Sequence, residues 1–171
     1  LPRRSTLSRK EAGGRSEEQV IAANVDVVAI CTPANDVNAR RLEREQTAVW
    51  SSGATPLVVI TKADLADDVH EVLAEVESVS LGVDVVAVSS SLGEGLDELR
   101  ARLAPGSTTV LIGPSGVGKS SLVNALAGEQ VLATAEIRGD GKGRHTTTTR
   151  HLVLLPGGGL LLDTPGMREF A

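Results

Sequence analysis

Residues 113–120 constrain this chain of 171 residues more than any other stretch. Their sequence, GPSGVGKS, fits the phosphate-binding pattern G-x-x-x-x-G-K-[ST] without a departure. An apolar run of strand type, residues 107–112, precedes it, and residues 121–127 follow with helical spacing. Strand, glycine loop and helix are the context in which backbone N–H groups and a helix N-terminus bind phosphate. We therefore predict a phosphate site, because a plain strand-to-helix turn would not need Lys119 and Ser120.

Each position of this loop has an expected role. Lys119 is expected to reach the β- and γ-phosphates, and the Ser120 hydroxyl is expected to bind Mg²⁺. The loop backbone supplies the remaining contacts. The predicted phosphate-binding residues here are Gly113, Pro114, Ser115, Gly116, Val117, Gly118, Lys119, Ser120 and Ser121.

Length and composition indicate an ordinary soluble domain. Apolar residues make up 41% of the chain, charged residues 23%, and the net charge is −5, which is typical of a globular protein with a core. We expect neither a membrane span nor an export signal, because no apolar run is long enough. Near absence of aromatic residues argues against a base-stacking surface for single-stranded nucleic acid.

The single cysteine, Cys31, excludes an internal disulfide and a cysteine-based zinc site within this chain. It ends an apolar run of strand type, so we predict a buried thiol rather than a nucleophile. No zinc is therefore expected here.

The N-terminal part divides at about residue 15. Residues 1–15 carry five basic side chains and one acid without apolar periodicity, which predicts a basic arm or linker from a preceding domain. It is either a solvated tail or an RNA contact. Residues 16–23 resemble a short helix with Ser16 as N-cap. We assign residues 16–171 to one nucleotide-binding domain.

Short apolar runs alternate with helical patterns through the middle of the chain, which predicts right-handed βαβ crossovers and a parallel sheet. Ligands of such sheets bind at the loops beyond the carboxyl ends of the strands. The predicted strands are residues 25–31, 57–60 and 83–88, and the predicted helices are residues 38–50, 65–81 and 96–103.

Two of these loops carry a pattern that fits guanine. Thr61-Lys62-Ala63-Asp64 resembles the [NT]-K-x-D motif of GTPases, and Leu65 follows it. An Asp carboxylate accepts from both the N1–H and the exocyclic amine of guanine, a donor pair that adenine lacks. The Lys62 stem would lie along the base. In isolation, a helix N-cap at Asp64 explains the tetrapeptide nearly as well.

The second loop follows the next predicted strand and contains Ser89, Ser90 and Ser91. It resembles the S-A-K element, whose backbone N–H donates to guanine O6. Ser90 and Ser91 replace the Ala and Lys of that element. We therefore expect the backbone contact to be kept, whereas the side chains at these two positions differ from the pattern.

Two further motifs follow the phosphate loop. Residues 139–150 (GDGKGRHTTTTR) are rich in glycine and lack an apolar period, which predicts a mobile loop. Such a loop can become ordered when a threonine hydroxyl coordinates Mg²⁺ and its N–H meets the γ-phosphate. Residues 152–155 and 160–162 predict an antiparallel hairpin. Asp163 and Gly166 then fit D-x-x-G, in which the acid holds a magnesium water and the glycine N–H contacts the γ-phosphate.

The nucleotide-binding elements of a GTPase thus occur in permuted order: guanine loops, phosphate loop, then switches. The chain resembles the ribosome small-subunit-dependent GTPases of the RsgA/YjeQ type. The implied fold is a circularly permuted P-loop NTPase, a three-layer α/β/α arrangement with a six-stranded, mostly parallel sheet and one antiparallel strand. The resemblance rests on EQVIAANVD (18–26), NARRLER (38–44), VSxxxGEGLDEL (88–99), GPSGVGKSSLVNAL (113–126), GRHTTT (143–148) and DTPGMREF (163–170).

This resemblance implies catalytic roles within the predicted switches. Met167 occupies the position of the water-orienting glutamine of Ras-like GTPases, and it cannot perform that role. The family implies His145 instead, the alternative being an ordinary solvent-exposed loop histidine. Lys119 and Thr148 complete the catalytic set. For Mg²⁺ the expected ligands are Ser120 and a threonine, Thr148 first and Thr147 second, with Asp163 acting through water.

The implied activity is slow hydrolysis of GTP with Mg²⁺, stimulated by the small ribosomal subunit during its late maturation. The family carries an oligonucleotide-binding barrel before this domain and a zinc-binding domain after it, and these mainly contact the subunit and its rRNA. We expect a cytoplasmic monomer without membrane contact. The alternatives are a nucleotide-binding module without turnover and a P-loop ATP-using enzyme, against which TKAD argues.

Overall fold

The computed structural model describes residues 2–10, 18–132 and 151–163. Eight strands and four α-helices lie in these ranges, together with a 3₁₀ turn at Ala63–Leu65. The strands are β1 (Thr6–Lys10), β2 (Glu18–Ala23), β3 (Val27–Pro33), β4 (Thr55–Thr61), β5 (Asp84–Ala87), β6 (Thr108–Ile112), β7 (His151–Leu154) and β8 (Leu160–Asp163). The helices are α1 (Ala39–Ser52), α2 (Val69–Ser78), α3 (Leu96–Arg102) and α4 (Lys119–Ala127).

Six strands form one sheet in the order β5-β4-β3-β6-β8-β7. All neighbours are parallel except β7, which pairs antiparallel with β8. The predicted six-stranded sheet with one antiparallel strand is confirmed. Because the parallel strands share a direction, their carboxyl ends meet at one edge of the sheet.

Helices cover both faces of this sheet. Successive residues of β3 point to opposite sides: Ile30 packs with Leu42 of α1 in one core cluster, whereas Cys31 packs with Leu122 of α4 in the other. Helix α2 joins the first cluster and α3 the second. This alternation buries both faces of a parallel sheet and gives the predicted three layers.

Local signals define helix α1 at both ends. The Asn38 side chain accepts a hydrogen bond from the Arg41 N–H at 3.0 Å, which is an N-cap interaction. Gly53 ends the helix with φ of 86° and donates its N–H to the Trp50 carbonyl. The helix predicted from residue 38 is confirmed, and its last turn continues two residues further.

The helix predicted for residues 16–23 is wrong. Residues Glu18–Ala23 form β2, which pairs antiparallel with β1. Ala22 lies opposite Leu7 in this ladder, and both side chains are buried in the core cluster beneath α1. A segment this short cannot nucleate a helix by itself, so a partner strand with an apolar face decides its conformation.

The basic arm also differs from the prediction. Thr6–Lys10 is a strand rather than an irregular linker, and Leu7 is fully buried. The Ser5 hydroxyl donates to the Val25 carbonyl at 2.6 Å, which joins the segment to the start of the main sheet. Residues 11–15 of the arm lie outside the described residues. The division into two parts at residue 15 stays a prediction.

Helix α2 begins later than predicted. Its N-cap is Asp68, whose carboxylate accepts from the His70 N–H at 2.8 Å and from the Glu71 N–H at 3.4 Å. The 3₁₀ turn that carries Asp64 therefore stands apart from the helix. This turn leaves Asp64 exposed at the sheet edge.

The antiparallel hairpin after the phosphate loop is confirmed, with β7 and β8 as its strands. Within the residues that the structure describes, no helix combines the length and apolarity needed to cross a bilayer.

Candidate functional site at the carboxyl edge of the sheet

The carboxyl ends of four parallel strands bring the predicted motifs together. Thr61 ends β4, Gly113 follows β6, and Asp163 ends β8. Ser89 follows β5, after Val88, whose N–H donates to the Ile60 carbonyl at 2.8 Å. Motifs that are distant in sequence therefore occupy one edge of the sheet.

The loop between β6 and α4 curves around the Lys119 side chain. The Lys119 ammonium donates to the carbonyl oxygens of Gly113 at 2.7 Å and Pro114 at 2.9 Å. Lys119 is the first residue of α4, so the ammonium lies within the loop that a phosphate would enter. The predicted phosphate-binding residues from Gly113 to Ser121 form this loop and the first turn of the helix.

Gly113 allows the loop to pass close to β3. Its φ is 143°, and a Cβ at this position would lie 2.7 Å from the Cys31 carbonyl oxygen. The Cys31 thiol is fully buried, and burial raises its pKa to about 12. The prediction of a buried thiol is confirmed, and a buried thiol with a raised pKa is a poor nucleophile.

Two side chains of the TKAD motif hold the phosphate loop directly. The Thr61 hydroxyl lies 2.7 Å from the Val117 carbonyl oxygen and 3.3 Å from that of Thr32. The Lys62 ammonium donates to the Gly116 carbonyl at 2.8 Å. Lys62 adopts a left-handed backbone conformation with φ of 54°, which is uncommon for a residue with a side chain. The predicted guanine loop and phosphate loop are therefore physically coupled.

The carboxylate of Asp64 is oriented by the loop Ser89-Ser90-Ser91, which we call the serine loop. The Ser89 hydroxyl donates to Asp64 Oδ1 at 2.6 Å and lies 3.0 Å from the Ser91 hydroxyl. The hydrogen bond from Ser89 is the main cause that holds the pKa of Asp64 below its usual value. An exposed, ionised carboxylate that is fixed on one oxygen can accept from two neighbouring N–H donors of a base.

Backbone contacts fix the position of the serine loop. The Ala63 N–H donates to the Val88 carbonyl at 3.0 Å, and Ser89 and Glu94 exchange two backbone hydrogen bonds. Ser89 is fully buried, whereas Ser91 is exposed. Leu65, which follows the TKAD motif and is also predicted to contact guanine, is 53% exposed at the end of the 3₁₀ turn.

Asp163 lies at the end of β8, where it faces the phosphate loop. Its side chain is buried, and no hydrogen bond reaches its carboxylate from the described residues. Burial raises the pKa of Asp163, and the charge of Lys119 partly opposes this effect. A desolvated carboxylate without a donor is suited to a cation or to a cation-bound water.

These donors fit Mg²⁺. Ser120 supplies a half-buried hydroxyl on the first turn of α4, and Asp163 supplies the carboxylate. Magnesium prefers oxygen ligands and keeps several waters, so a full protein cage is not required. In the described part of the chain, no group of three or more His, Cys, Asp or Glu side chains clusters.

Four predicted site residues lie outside the described residues: His145, Thr147, Thr148 and Gly166. Nothing in the structure tests their proposed roles.

Sequence reasoning missed two residues: His151 next to Asp163, and Asn124, which holds the segment after α4. His151 lies directly opposite Asp163 in the β7–β8 ladder, and its charge also acts on the Asp163 pKa. Asn124 of α4 accepts from the Val131 and Leu132 N–H groups at 3.0 and 2.8 Å, and it donates to the Leu132 carbonyl at 2.9 Å. The register of the predicted hairpin would have placed His151 opposite Asp163. For Asn124, the available signal was a lone amide among the apolar residues of α4.

The sheet topology and the order of the loops along the chain are those of a circularly permuted P-loop GTPase. Among solved structures, the chain is similar to YjeQ from Thermotoga maritima, with a TM-score of 0.72, 27% identity, and coverage of 100% of this chain and 55% of that one. YloQ, described as a circularly permuted GTPase, has the same fold, with a TM-score of 0.56 and 22% identity over 100% of this chain and 59% of its own.

The chain belongs to the RsgA GTPase family, whose model matches residues 1–171. It is 51% identical to small ribosomal subunit biogenesis GTPase RsgA 2 of Lactiplantibacillus plantarum over 98% of this chain and 48% of that protein. It is 52% identical to small ribosomal subunit biogenesis GTPase RsgA of Streptomyces avermitilis, again over 98% of this chain and over 46% of the relative. The chain therefore spans about half the length of the curated relatives it matches.

Proposed function

We propose that this chain binds GTP and hydrolyses it to GDP and phosphate, as the nucleotide switch of a factor in late maturation of the small ribosomal subunit. The observation that carries the proposal is the coupling of two loops at the sheet edge. Thr61 and Lys62 hold the phosphate loop through the carbonyls of Val117 and Gly116, and Asp64 stands beside them. This arrangement suits a ligand with a purine at one end and phosphates at the other.

Guanine recognition is assigned to Asp64 and the serine loop. The Asp64 carboxylate accepts from N1–H and the exocyclic amine, while a backbone N–H of the loop Ser89-Ser90-Ser91 donates to O6. Adenine presents an amine where guanine has O6 and lacks the N1–H donor, so Asp64 would be left unpaired. An unpaired charged group costs enough to reject adenine strongly.

Phosphate binding is assigned to the loop from Gly113 to Ser121. In the structure the Lys119 ammonium donates to two loop carbonyls, which holds it in the space that phosphate oxygens would occupy. The N-terminal amides of α4 add favourable partial charge. On binding, Lys119 exchanges its carbonyl partners for the β- and γ-phosphates.

Magnesium would be held by Ser120 and by Thr148, with Thr147 as the second choice, and by Asp163 through water. When bound, the ion neutralises charge on the β- and γ-phosphates. The Gly166 N–H contacts the γ-phosphate, and His145 positions the attacking water because Met167 cannot. Intrinsic turnover is then slow, and the partner accelerates it by positioning His145.

The partner is proposed to be the small ribosomal subunit with its rRNA, mainly through flanking domains, in the cytoplasm. This assignment is supported by the relatives, which are named small ribosomal subunit biogenesis GTPases. A monomeric state completes the proposal. A nucleotide-binding module without turnover is the second candidate, which the methionine at position 167 favours.

The test is multiple-turnover phosphate release from GTP and from ATP, with and without isolated small ribosomal subunits. We expect GTP-selective turnover that the subunit stimulates and that falls about 100-fold or more in His145→Ala. His70→Ala is the matched control, since His70 is an exposed histidine of α2 that is not among the predicted site residues. ATP turnover equal to that of GTP, or tight GDP binding without turnover in any condition, would overturn the proposal.

A further inference from the structure

We propose that the Ser91 hydroxyl is a positioning group for base specificity, acting on Asp64 through the hydroxyl of Ser89. This inference rests on the proposed guanine site. Its basis is an arrangement of three side chains: Ser91 and Ser89 lie 3.0 Å apart, and Ser89 lies 2.6 Å from Asp64.

The direction of these hydrogen bonds follows from counting protons. A serine hydroxyl has one proton to donate, and an ionised carboxylate can only accept. Ser89 therefore donates its proton to Asp64 Oδ1, and in the contact between the two hydroxyls Ser91 is the donor. Ser91 also helps directly to lower the pKa of Asp64, as a smaller cause than Ser89. The Leu92 N–H also donates to the Ser89 oxygen, at 3.2 Å. The Ser89 hydroxyl thus gives one hydrogen bond and receives two, which uses all of its capacity.

This relay fixes an otherwise exposed carboxylate. Asp64 is exposed on a 3₁₀ turn, so its side chain has rotational freedom that base recognition must remove. Ser89 is fully buried and cannot follow Asp64 into other rotamers. The hydrogen bonds from Ser91 and Leu92 to the Ser89 oxygen keep the Ser89 proton directed at Asp64 Oδ1. The remaining acceptor sites of Asp64 then point to the purine before it binds, which lowers the entropic cost of recognition.

The neighbouring Ser90 shows that a serine in this loop does not necessarily reach the hydroxyl of Ser89. Ser90 is half-buried, and its side chain makes no hydrogen bond within the described residues. Ser91 is more exposed than Ser90, yet only Ser91 contacts the relay. Because Ser91 packs against little, its truncation removes a hydrogen bond with little loss of packing.

The test compares affinities for GDP, IDP and ADP in the full chain. Inosine keeps N1–H but lacks the exocyclic amine, so it makes one of the two hydrogen bonds to Asp64 and tolerates a rotated carboxylate. We expect Ser91→Ala to lower the ratio of the IDP to the GDP dissociation constant about three- to tenfold, the effect of one hydrogen bond in a charged network. Ser91→Thr, which keeps the hydroxyl, restores the ratio, and Ser51→Ala, at an exposed serine in the last turn of α1, leaves it unchanged.

The controls separate the relay from the site on which it rests. An unchanged ratio in Ser91→Ala, or an equal fall in Ser51→Ala, overturns the relay. A wild-type preference for GDP over ADP in the same experiment would still retain the guanine site. Equal affinity of the wild type for GDP and ADP overturns both. A proportional loss of GDP, IDP and ADP affinity in Ser91→Ala indicates a general loop defect and also overturns the relay.

Discussion

The hydroxyl of Thr61 lies 2.7 Å from the carbonyl oxygen of Val117, within the phosphate loop. Thr61 ends β4 and Val117 precedes α4, so this one contact joins two neighbouring parts of the sheet edge. Both side chains are 2% exposed, which shields the hydrogen bond from water. A shift of the guanine loop is therefore transmitted to the phosphate loop.

Replacing Thr61 by Val tests this contact. The Val117 carbonyl would lose its donor in a buried position, so we expect the free energy of unfolding to fall by about 1–3 kcal/mol, with a parallel loss of GDP affinity. The measurements are urea unfolding and equilibrium titration with GDP.

Thr32→Val is the matched control, since Thr32 is fully buried on the adjacent strand and its hydroxyl has no hydrogen-bond partner in the described residues. Removing that unsatisfied hydroxyl should leave stability unchanged or raise it. Equal destabilisation by the two substitutions would contradict the coupling.

Two glycines between β5 and α3 separate the effect of a steric clash with β5 from the effect of backbone strain. Gly93 and Gly95 have φ values of 76° and 72°, so an added side chain strains both backbones alike. A Cβ at Gly95 would also overlap the Ala87 carbonyl oxygen, whereas one at Gly93 meets open space. We expect Gly95→Ala to lower the unfolding free energy by at least about 2 kcal/mol more than Gly93→Ala. Similar thermal unfolding midpoints would show that the loop can move away from β5.

The buried carboxyl of Glu45 gives a pH dependence with a defined sign. Glu45 lies 3.7 Å from Arg41, but burial raises its pKa above the ordinary 4.5 in spite of Arg41 and Arg44. The ionised form therefore costs folding free energy at neutral pH, and that cost disappears as pH falls through the raised pKa. We expect Glu45→Gln to be more stable than wild type at pH 7, with a difference that vanishes below pH 4.5.

The measurement is urea unfolding at a series of pH values. Glu43→Gln is its control, because Glu43 is exposed on the same helix. A Glu45→Gln variant that is less stable than wild type at pH 7 would show that the ion pair with Arg41 outweighs the burial of the charge.

Asp163→Asn should separate stability from metal binding. Burial raises the pKa of this carboxyl, so its ionised form disfavours folding when no cation is present. We expect the nucleotide-free variant to unfold at a higher temperature than wild type, while its affinity for GTP with Mg²⁺ falls about 10- to 100-fold. In EDTA the two proteins should bind GTP alike. A variant with unchanged magnesium dependence would exclude Asp163 from the metal site.

The phosphate loop and the alternation of strands and helices could be predicted because each signal lies in one contiguous run. GPSGVGKS carries its own strand and helix, and the apolar runs of β3 and β4 show their burial directly. The order of the nucleotide-binding loops along the chain can likewise be read directly from the sequence. These features depend on local pattern, so no tertiary contact had to be known.

The β1–β2 ladder could not be predicted, because its strands have little apolar pattern and gain their conformation from each other. The Leu7 and Ala22 pair supplies the buried face only after the segments meet. The contact of Ser91 with Ser89 likewise depends on the turn between them. Thr61 was predicted as a guanine residue, yet its contact with Val117 needed the positions of two loops 56 residues apart.

The most direct test is a competition titration of the full chain with GDP, ADP and XDP, beside the Asp64→Asn variant. We expect the wild type to bind GDP at least about 100-fold more tightly than ADP, since a site built for hydrogen-bond donors rejects a base that lacks them. Asp64→Asn should lose GDP affinity and gain affinity for XDP, whose exocyclic oxygen accepts from the new amide. Equal binding of GDP and ADP by the wild type, or an unchanged GDP preference in Asp64→Asn, would show that Asp64 does not recognise guanine.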